Sequence, residues 1–546
     1  MILLSTLLLS MFITIALIPF FRGLAVKVNV LDVPNERKVH KYPIPKSGGI
    51  AMALGAFIPI LLWLPADNFT RATIIGAGIV VLFGLLDDMR DLGFKAKFAG
   101  QFAAALIIII YGGVKIKSLG MLLPDGVLLP DWLAMPLTLI VIVGITNAIN
   151  LSDGLDGLAG GISLLSFLCI GYLAYSAGNF GIALLSAAMV GAIFGFLRFN
   201  TYPATVFMGD AGSQLLGFMA ITLSLKLTQG NATLSPLLPL LLLGFPVLDT
   251  ITVMFERVTN GKSPFVADKN HLHHKFMRLD FFHTEAVLSI YVLQAFLVTS
   301  AFVFRSRSEW FLLILYLVFS GVIISGFFIA DTTGWKLKRF HFLDKVLKGK
   351  LRVLKEKNIL IKVSFRIIEV GVPSLLLITC FLPASVPKYF AFFSIGFLGL
   401  ICIVWLFNKQ WLDMAMRFAL YLTIPFVIYL SQTDLAAWVS YKLVHPYNLS
   451  FVFLIVFVIL TLKFTRRTKG FKTSPMDFLI LFIALVVPNL PDEQIQSYHM
   501  GLVAAKIIVL FFSYEVLIGE LREDLKRLVL ATIPVMVIMA VRGLMG

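Results

Sequence analysis

The sequence predicts an all-α protein that crosses a membrane many times. Of its 546 residues, 59% are hydrophobic and only 14% are charged, and the mean hydropathy is +0.93. Soluble domains carry about a quarter charged residues, and the apolar runs of this chain repeatedly reach the roughly 20 residues that a membrane-spanning helix requires. These two observations predict a polytopic helical membrane protein.

The apolar runs form two groups. The first predicts eleven spans, at residues 1–22, 48–65, 70–86, 98–113, 133–150, 159–176, 180–198, 211–228, 235–256, 286–304 and 310–330. The second predicts seven, at residues 363–382, 388–407, 412–431, 448–463, 476–490, 501–518 and 528–544. The first run lacks a basic leader and a small-residue cleavage site, so we expect a retained helix and not a signal peptide.

The chain is therefore expected to have three parts. Residues 1–330 form an eleven-helix bundle, and residues 363–546 form an additional transmembrane module whose residues indicate no role. Between them, residues 331–362 are basic, and their apolar residues follow a helical spacing. This spacing is typical of an amphipathic helix on the cytoplasmic membrane surface, with a plain charged linker as the alternative.

Charge and cysteine content exclude several classes of function. The net charge is +16, and with the N-terminus outside, most basic residues fall in loops predicted to be cytoplasmic. An anionic leaflet and anionic substrates account for this charge, so we predict no nucleic-acid partner. Cys169, Cys380 and Cys402 are isolated in apolar runs, which indicates neither a disulfide framework nor a metal motif.

The stretch 147–160 places two amides and two carboxylates at a membrane boundary. Ionisable groups at such a position are costly and indicate a functional site. Asn147, Asn150, Asp153 and Asp156 follow one another at steps of three, which spreads them over about half of a helix circumference. The glycines between and after them favour a loosened helix whose backbone a ligand can approach.

Four more polar clusters fall on the same predicted side of the membrane. They are 32–49, which ends in Gly48-Gly49; Asp87-Asp88; Asp210 within Phe207-Met-Gly-Asp-Ala-Gly-Ser; and His271-Leu-His273-His274 with Arg278. The first three have simpler alternatives: a basic loop for 32–49, an N-cap of the next helix for the Asp87-Asp88 pair, and a helix cap for Asp210. Adjacent carboxylates repel one another, however, so the Asp87-Asp88 pair requires a cation or a proton.

The histidine cluster is compatible with two ligands. Three His residues in four positions suggest zinc, but no cysteine or further histidine pattern completes a structural site. Contact with phosphate, assisted by nearby Lys and Arg, is the favoured alternative. Because Asp and Asn oxygens suit Mg²⁺ that is shared with substrate phosphates, the clusters together predict Mg²⁺-dependent phosphoryl transfer at the cytoplasmic membrane surface.

These motifs resemble those of the polyprenyl-phosphate N-acetylhexosamine-1-phosphate transferases. The resemblance covers about residues 1–330 and rests on five motifs in the family's order: Asp32-x-Pro-Asn-x-Arg-Lys-x-His40 with Gly48-Gly49, Asp87-Asp88, Asn147 to Ala159, Phe207 to Ser213, and His271 to His274. It implies an eleven-helix bundle that transfers a sugar 1-phosphate from a UDP-sugar to a polyprenyl phosphate and releases UMP.

The resemblance also implies roles for individual residues. It places Mg²⁺, with Mn²⁺ as an alternative, on Asp210 with help from Asn150. It makes Asp87 the group that activates the lipid phosphate, with Asp88 beside it and Asp153 as a further catalytic carboxylate. The substrate-binding residues would be Gly48 and Gly49, Lys95 facing the diphosphate, Asp156 near the uracil, and Arg278. His271, His273 and His274 would close over the nucleotide sugar and its phosphates.

Several expectations about context follow. The His motif and Lys46-Ser-Gly-Gly49 are more similar to the GlcNAc-1-phosphate branch than to the MurNAc-pentapeptide branch, which favours a GlcNAc donor over related N-acetyl sugars. We expect a multi-pass protein of the inner (plasma) membrane with a cytoplasmic active site in cell-wall or polysaccharide synthesis. The oligomeric state stays open, a homodimer included. The alternatives are a lipid flippase or solute transporter, or a catalytically silent scaffold.

Overall fold

A computed structural model confirms the all-α membrane fold. It describes residues 2–34, 42–65, 67–90, 92–124, 127–231, 233–261, 263, 270–337, 359–407, 412–433, 435–464, 500–521 and 526–545. Within those residues, eleven helices are long and apolar enough to cross a membrane. The chain divides into two compact units, Met1–Lys338 and Arg339–Gly546.

The helices of the first unit follow the predicted spans closely. They are α1 (Ile2–Lys27), α2 (Gly48–Trp63), α3 (Asn68–Arg90), α4 (Phe94–Ile110), α5 (Asp131–Leu151), α6 (Leu158–Ser176), α7 (Phe180–Asn200), α8 (Gly209–Gln229), α9 (Leu238–Leu242), α10 (Gly244–Thr259), α11 (Leu272–Arg278), α12 (His283–Val303) and α13 (Glu309–Thr333). A short 3₁₀ turn, Gly120–Leu122, precedes α5. Helices α6, α7 and α8 supply much of the buried apolar core.

The prediction of one continuous helix over 235–256 was wrong, because the chain forms α9 and α10 with a break at Leu243. Pro246 has no N–H and cannot bond to the carbonyl of Leu242. Two buried side chains satisfy that carbonyl: Gln294 Nε2 donates to it at 2.7 Å and Ser166 Oγ at 2.6 Å. A freed carbonyl inside a membrane protein requires such partners, so the break is built into the packing of α6 and α12.

A small antiparallel sheet connects the first two helices to the start of α8. Strand β1 (Leu31–Asp32) pairs with β2 (Ile44–Pro45), with Leu31 opposite Pro45 and Asp32 opposite Ile44. The neighbouring Lys46 forms a parallel bridge with Phe207. The polar sequence around Asp32 and the Phe207–Ser213 motif are therefore held side by side by backbone hydrogen bonds.

The second unit contains α14 (Ile359–Phe381), α15 (Lys388–Phe407), α16 (Leu412–Thr433), α17 (Tyr441–Phe464), α18 (Met500–Glu520) and α19 (Lys526–Met545). Its core is apolar and includes Leu420, Ile424 and Met536, each with no exposed surface. Arg542 donates to the carbonyls of Cys380 and Pro383, both at 2.6 Å, which satisfies backbone groups at the end of α14. The predicted span 476–490 and most of the basic segment 331–362 lie outside the described residues.

Candidate active site

Four helix ends meet around the carboxylate of Asp210. This residue lies in the first turn of α8, where the amide dipoles of a helix favour a negative charge. Lys97, in the first turn of α4, contacts Asp210 Oδ2, and its Nζ lies 2.6 Å from Oδ2 of Asp87 at the end of α3. Asn150, at the end of α5, donates through Nδ2 to Asp210 Oδ1 at 3.1 Å and to Ser213 Oγ at 2.7 Å. Residues up to 123 positions apart in sequence thus surround one carboxylate.

The close approach of α3 to α8 depends on Gly84. A Cβ atom on Gly84 would lie 2.6 Å from the Cα of Ala211, a distance that no real Cβ contact shows. Because Gly84 stands one turn before Asp87 and Asp88, its lack of a side chain brings both carboxylates to the start of α8. A larger residue would separate the two helices at the point where the site forms.

Gly48 and Gly49, which we predicted to bind substrate, make close packing contacts within the protein. Their N–H groups donate to the carbonyls of Phe207 and Met208, each at 2.9 Å, so neither amide is left for a ligand. A Cβ atom on Gly49 would lie 2.3 Å from the N of Gly212 in α8. Their close approach is therefore between α2 and α8, and it positions the segment that carries Asp210.

Asp88 connects α8 to the Lys46 side chain. Its Oδ2 accepts a hydrogen bond from the Ala211 N–H at 3.2 Å, which satisfies one of the unpaired amides of the first turn of α8. Its Oδ1 lies 3.5 Å from Lys46 Nζ, and Lys46 Nζ lies 3.7 Å from Asp32 Oδ1. Burial alone would lower the pKa of Lys46, but Asp88, Asp32 and Asp210 together raise it. Lys46 therefore stays a cation, and Asp88 both caps α8 and holds this charge.

The glycines after Asn150 do interrupt the helix, as expected. Helix α5 ends at Leu151, residues 152–157 form a turn, and Gly157 adopts φ +82°, which a side chain would disfavour. Asp156 Oδ2 accepts from the Ala204 N–H at 2.9 Å, and its own N–H donates to Nε2 of His283 at 3.1 Å. The ring of His283 stacks on Tyr202 at 4.5 Å between centroids. The loop is thereby tied to the start of α12 and to the segment after α7.

Asp153, in the same loop, keeps part of its surface exposed to solvent, although many protein atoms surround its carboxyl group. Desolvation, followed by the charges of Asp210 and Asp156, raises the pKa of Asp153 from an ordinary 3.8 to about 8. Near neutral pH this carboxyl is therefore largely protonated unless a cation approaches it. The charge of Asp153 therefore depends on a nearby cation.

The three histidines of the motif have different surroundings. His271 precedes α11, and its Nδ1 lies 2.9 Å from Oδ2 of the buried Asp249. The ring of His273 lies against the motif loop, because a Cβ on Gly154 would come within 2.2 Å of its Nε2. Burial, and then the charge of His274, lowers the pKa of His273 to about 3, so this ring is neutral. The motif loop and the histidine helix therefore belong to one site.

Other predicted residues are exposed or undescribed. Lys95 and Arg278 are exposed, and Arg278 makes a long contact of 3.4 Å with Asn270. Residues 35–41 and 264–269 lie outside the described residues. Sequence reasoning missed the contacts of Lys97, Asp249 and His283. Asp249 had a usable signal, since it is a carboxylate inside an apolar helix.

The donor set is compatible with a shared Mg²⁺. Among the described residues, the buried Asp87 Oδ1 accepts no hydrogen bond, and Asp88 Oδ1 has only its 3.5 Å ion pair with Lys46. The carboxylates of Asp87, Asp88 and Asp210 outnumber the ammonium groups of Lys46 and Lys97. In the described part of the chain, no three Asp, Glu, His or Cys side chains form a metal site by themselves. Mg²⁺ does not require this, because it usually takes one or two carboxylates, water and substrate phosphates.

The sequence of this chain is similar to those of several known proteins. A family model described as glycosyl transferase family 4 matches residues 70–228. A protein of Bacillus subtilis (strain 168) named probable undecaprenyl-phosphate N-acetylglucosaminyl 1-phosphate transferase is 35% identical over 341 residues, which is 62% of this chain and 94% of that protein. The undecaprenyl-phosphate alpha-N-acetylglucosaminyl 1-phosphate transferase of Escherichia coli (strain K12) is 34% identical over 361 residues, which is 64% of this chain and 95% of that protein. The protein of the same name from Salmonella typhimurium (strain LT2) is 32% identical over 345 residues, which is 62% of this chain and 92% of that protein.

Proposed function

This chain belongs to the polyprenyl-phosphate N-acetylhexosamine-1-phosphate transferases of glycosyl transferase family 4, and from this premise we propose its donor, its metal and the roles of its residues. The protein is a multi-pass membrane enzyme that transfers a sugar 1-phosphate to undecaprenyl phosphate. The alternative of a transporter or flippase has no support from the relatives, and the polar cluster lies at helix ends.

The proposed donor is UDP-GlcNAc, and the products are undecaprenyl-diphosphate-GlcNAc and UMP. A phosphate oxygen of the lipid attacks the sugar-side phosphorus of the donor. The new P–O bond forms as the bond to the bridging oxygen of UMP breaks, and UMP leaves with the electron pair. One phosphoanhydride replaces another, so the step is reversible. We place this reaction on the cytoplasmic face of the plasma membrane, where UDP-sugars are available.

The observation that carries the proposal is the convergence of Asp87, Lys97, Asn150 and Asp210 from four helices. Two anionic substrates meet at a site whose carboxylates exceed its ammonium groups, so additional positive charge is required. Asp210 would hold Mg²⁺ together with Asn150. The side-chain amide of Asn150 would have to rotate by half a turn, so that Oδ1 takes the place of Nδ2. When bound, Mg²⁺ would neutralise charge on the diphosphate and on the departing UMP.

The remaining groups act by charge and position. Lys97, between Asp87 and Asp210, is placed to neutralise oxygens of the reacting phosphates. Asp87 retains an unpaired Oδ1 and is the group that receives the lipid phosphate. A phosphate monoester is already largely ionised at pH 7, so Asp87 would act on the fraction that still carries one proton, by accepting that proton at Oδ1, and Lys97 would attract the dianion. Asp156, in the loop next to His283, lies on the side assigned to the nucleotide.

A substrate panel tests this proposal. Purified full-length protein, undecaprenyl phosphate and Mg²⁺ are combined with UDP-GlcNAc, UDP-GalNAc or UDP-MurNAc-pentapeptide, and released UMP is measured. We expect the fastest release from UDP-GlcNAc and none without the lipid phosphate. Preference for UDP-MurNAc-pentapeptide would overturn the donor assignment, and no UMP from any donor would overturn the reaction.

A further inference from the structure

Helices α10 and α11 are joined by one ion pair and by a carboxylate–histidine contact at the start of the histidine motif. Asp249 of α10 is 1% exposed, and its Oδ2 lies 2.9 Å from Nδ1 of His271. Its Oδ1 accepts from the N–H of Leu272 at 2.6 Å. Two turns further along α10, Glu256 contacts Nζ of Lys275. Both oxygens of Asp249 are therefore used at the start of α11.

A buried carboxylate in an apolar helix needs a reason to exist. The sequence around Asp249 is Gly-Phe-Pro-Val-Leu-Asp, and an ionised group among such residues is costly unless it is paired. The ion pair of Glu256 with Lys275 already fastens α11 to α10. Attachment of the short helix alone does not explain why a fully buried acid faces a histidine ring.

The Asp249 contact determines which nitrogen of His271 carries the proton. A ring nitrogen that faces a carboxylate is protonated, so Nδ1 is the N–H of the neutral ring and Nε2 presents its lone pair. Among the described residues, the hydrogen bond seen at the His271 ring is the one between Nδ1 and Asp249, and it leaves Nε2 available.

The His271 ring lies next to the groups of the proposed site. It is parallel to the ring of His273 within 10°, with centroids 5.7 Å apart. His273 in turn lies against Gly154 in the loop that carries Asp153 and Asp156. The ring of His273 therefore lies between His271 and the motif loop.

We propose that Asp249 is a positioning residue that fixes the orientation and tautomer of His271, so that Nε2 contacts an oxygen of the donor diphosphate. This inference rests on the proposed function for the identity of the phosphate, but the contact of Asp249 with His271 does not depend on it. Asp249 acts through His271 and touches no substrate.

The test is a double-mutant cycle in the full-length protein. In Asp249→Asn the amide oxygen still accepts from Leu272, but the amide nitrogen donates to Nδ1 and moves the ring proton to Nε2. We expect kcat for UMP release to fall about 10–100-fold, the usual size of such positioning effects, with a smaller change in KM for UDP-GlcNAc. In a His271→Ala background the same change should cost less than about threefold, because interacting residues are not additive.

Thr252→Val is the matched control. Thr252 lies one turn beyond Asp249 on α10, is also buried, and donates to the Leu248 carbonyl of its own helix. We expect it to retain activity. If Asp249→Asn is as active as the wild type, or costs the same factor with and without His271, the inference is wrong.

A spectroscopic readout separates this inference from the proposed function. In ¹⁵N-histidine-labelled protein, with His271 assigned by its loss in His271→Ala, we expect the Nδ1–H tautomer in the wild type and the Nε2–H tautomer in Asp249→Asn. An Nε2–H tautomer in the wild type overturns the inference whether or not UMP is released. If Asp249→Asn does not fold, His271→Asn replaces it: its side-chain amide still donates to Asp249 but lacks Nε2, so it should fold and lose activity, and full activity would contradict the inference.

Discussion

The ammonium group of Lys97 lies 2.6 Å from Oδ2 of Asp87 and also contacts Asp210. The two carboxylates come from α3 and α8, and the lysine comes from the first turn of α4. A cation between two acids holds the three helix ends together and marks the position where positive charge is needed. The predictions below follow from this arrangement and from the helices that create it.

Lys97 and Lys95 should differ sharply when each is replaced by methionine. Lys97→Met removes the cation between Asp87 and Asp210, and we expect kcat to fall by about 10²–10³, the usual effect of losing an electrostatic group at the reacting centre. Lys95 is exposed, so Lys95→Met should cost less than about tenfold and act mainly on KM for the UDP-sugar. Steady-state UMP release measures both. A larger loss for Lys95→Met than for Lys97→Met would contradict the geometry.

Gly84→Ala should destabilise the protein, because the added methyl group would lie 2.6 Å from the Cα of Ala211. Overpacking of this kind costs about 1–3 kcal/mol, and here it also moves Asp87 and Asp88 away from Asp210. Gly78→Ala, on the same helix with nothing within 4 Å of the new Cβ, is the control and should gain helix propensity. The thermal unfolding temperature and the rate of UMP release should both fall in Gly84→Ala, and neither should fall in Gly78→Ala. Equal behaviour of the two variants would show that the α3–α8 approach is not tight.

Asp153 should make the stability of the metal-free protein depend on pH. Its pKa is raised from 3.8 to about 8 in the folded state, so between these values the folded protein holds a proton that the unfolded chain has lost. Stability should therefore fall as the pH rises through this window. Asp153→Asn removes this component. In EDTA, the free energy of unfolding of this variant should therefore change less between about pH 5 and pH 8 than that of the wild type. Parallel curves for the two proteins would contradict the raised pKa.

Removal of the second unit should leave the chemistry intact. The aligned relatives cover 62–64% of this chain, and every residue of the site described above lies within Met1–Lys338. A protein truncated after Lys357 should keep kcat within about threefold of the full chain, although its stability or its glycan output in cells can change. UMP release by the purified, monodisperse truncation measures this. Complete loss of activity in a well-folded truncation would assign the second unit a catalytic contribution.

Much of the fold could be predicted because hydropathy reports directly on membrane helices. The span predicted at 180–198 is observed at Phe180–Asn200, and the loop after Asn150 opens where its glycines suggested. The break at Leu243 was missed, although Pro246 was visible. Whether a proline bends or interrupts a helix depends on which groups donate to the freed carbonyl. Here the donors are Gln294 and Ser166, which are far from Leu242 in sequence.

The motifs predicted several residues of the site, but they did not predict which side chains contact one another. Asp87, Asn150 and Asp210 were chosen from the motifs, and the structure brings them together. The motifs could not distinguish Lys97 from Lys95, because that depends on the rotation of α4 relative to α3 and α8. They also could not show that the amides of Gly48 and Gly49 bind the segment before α8. Asp249 belongs to no predicted motif; its position inside an apolar helix was a signal, but its partner His271 is visible only in the structure.

The most direct test of the central claim compares Mg²⁺-dependent UMP release by the wild type and by Asp210→Asn, with UDP-GlcNAc and undecaprenyl phosphate as substrates. The control is Asp131→Asn at the opposite end of α5, where the carboxylate pairs with Lys115 and Lys117. We predict that EDTA abolishes wild-type release, that Mg²⁺ restores it, and that Asp210→Asn loses at least about a hundredfold at any Mg²⁺ concentration while Asp131→Asn stays active. Full Mg²⁺-dependent activity in Asp210→Asn would contradict the assignment of Asp210 as the centre of the site.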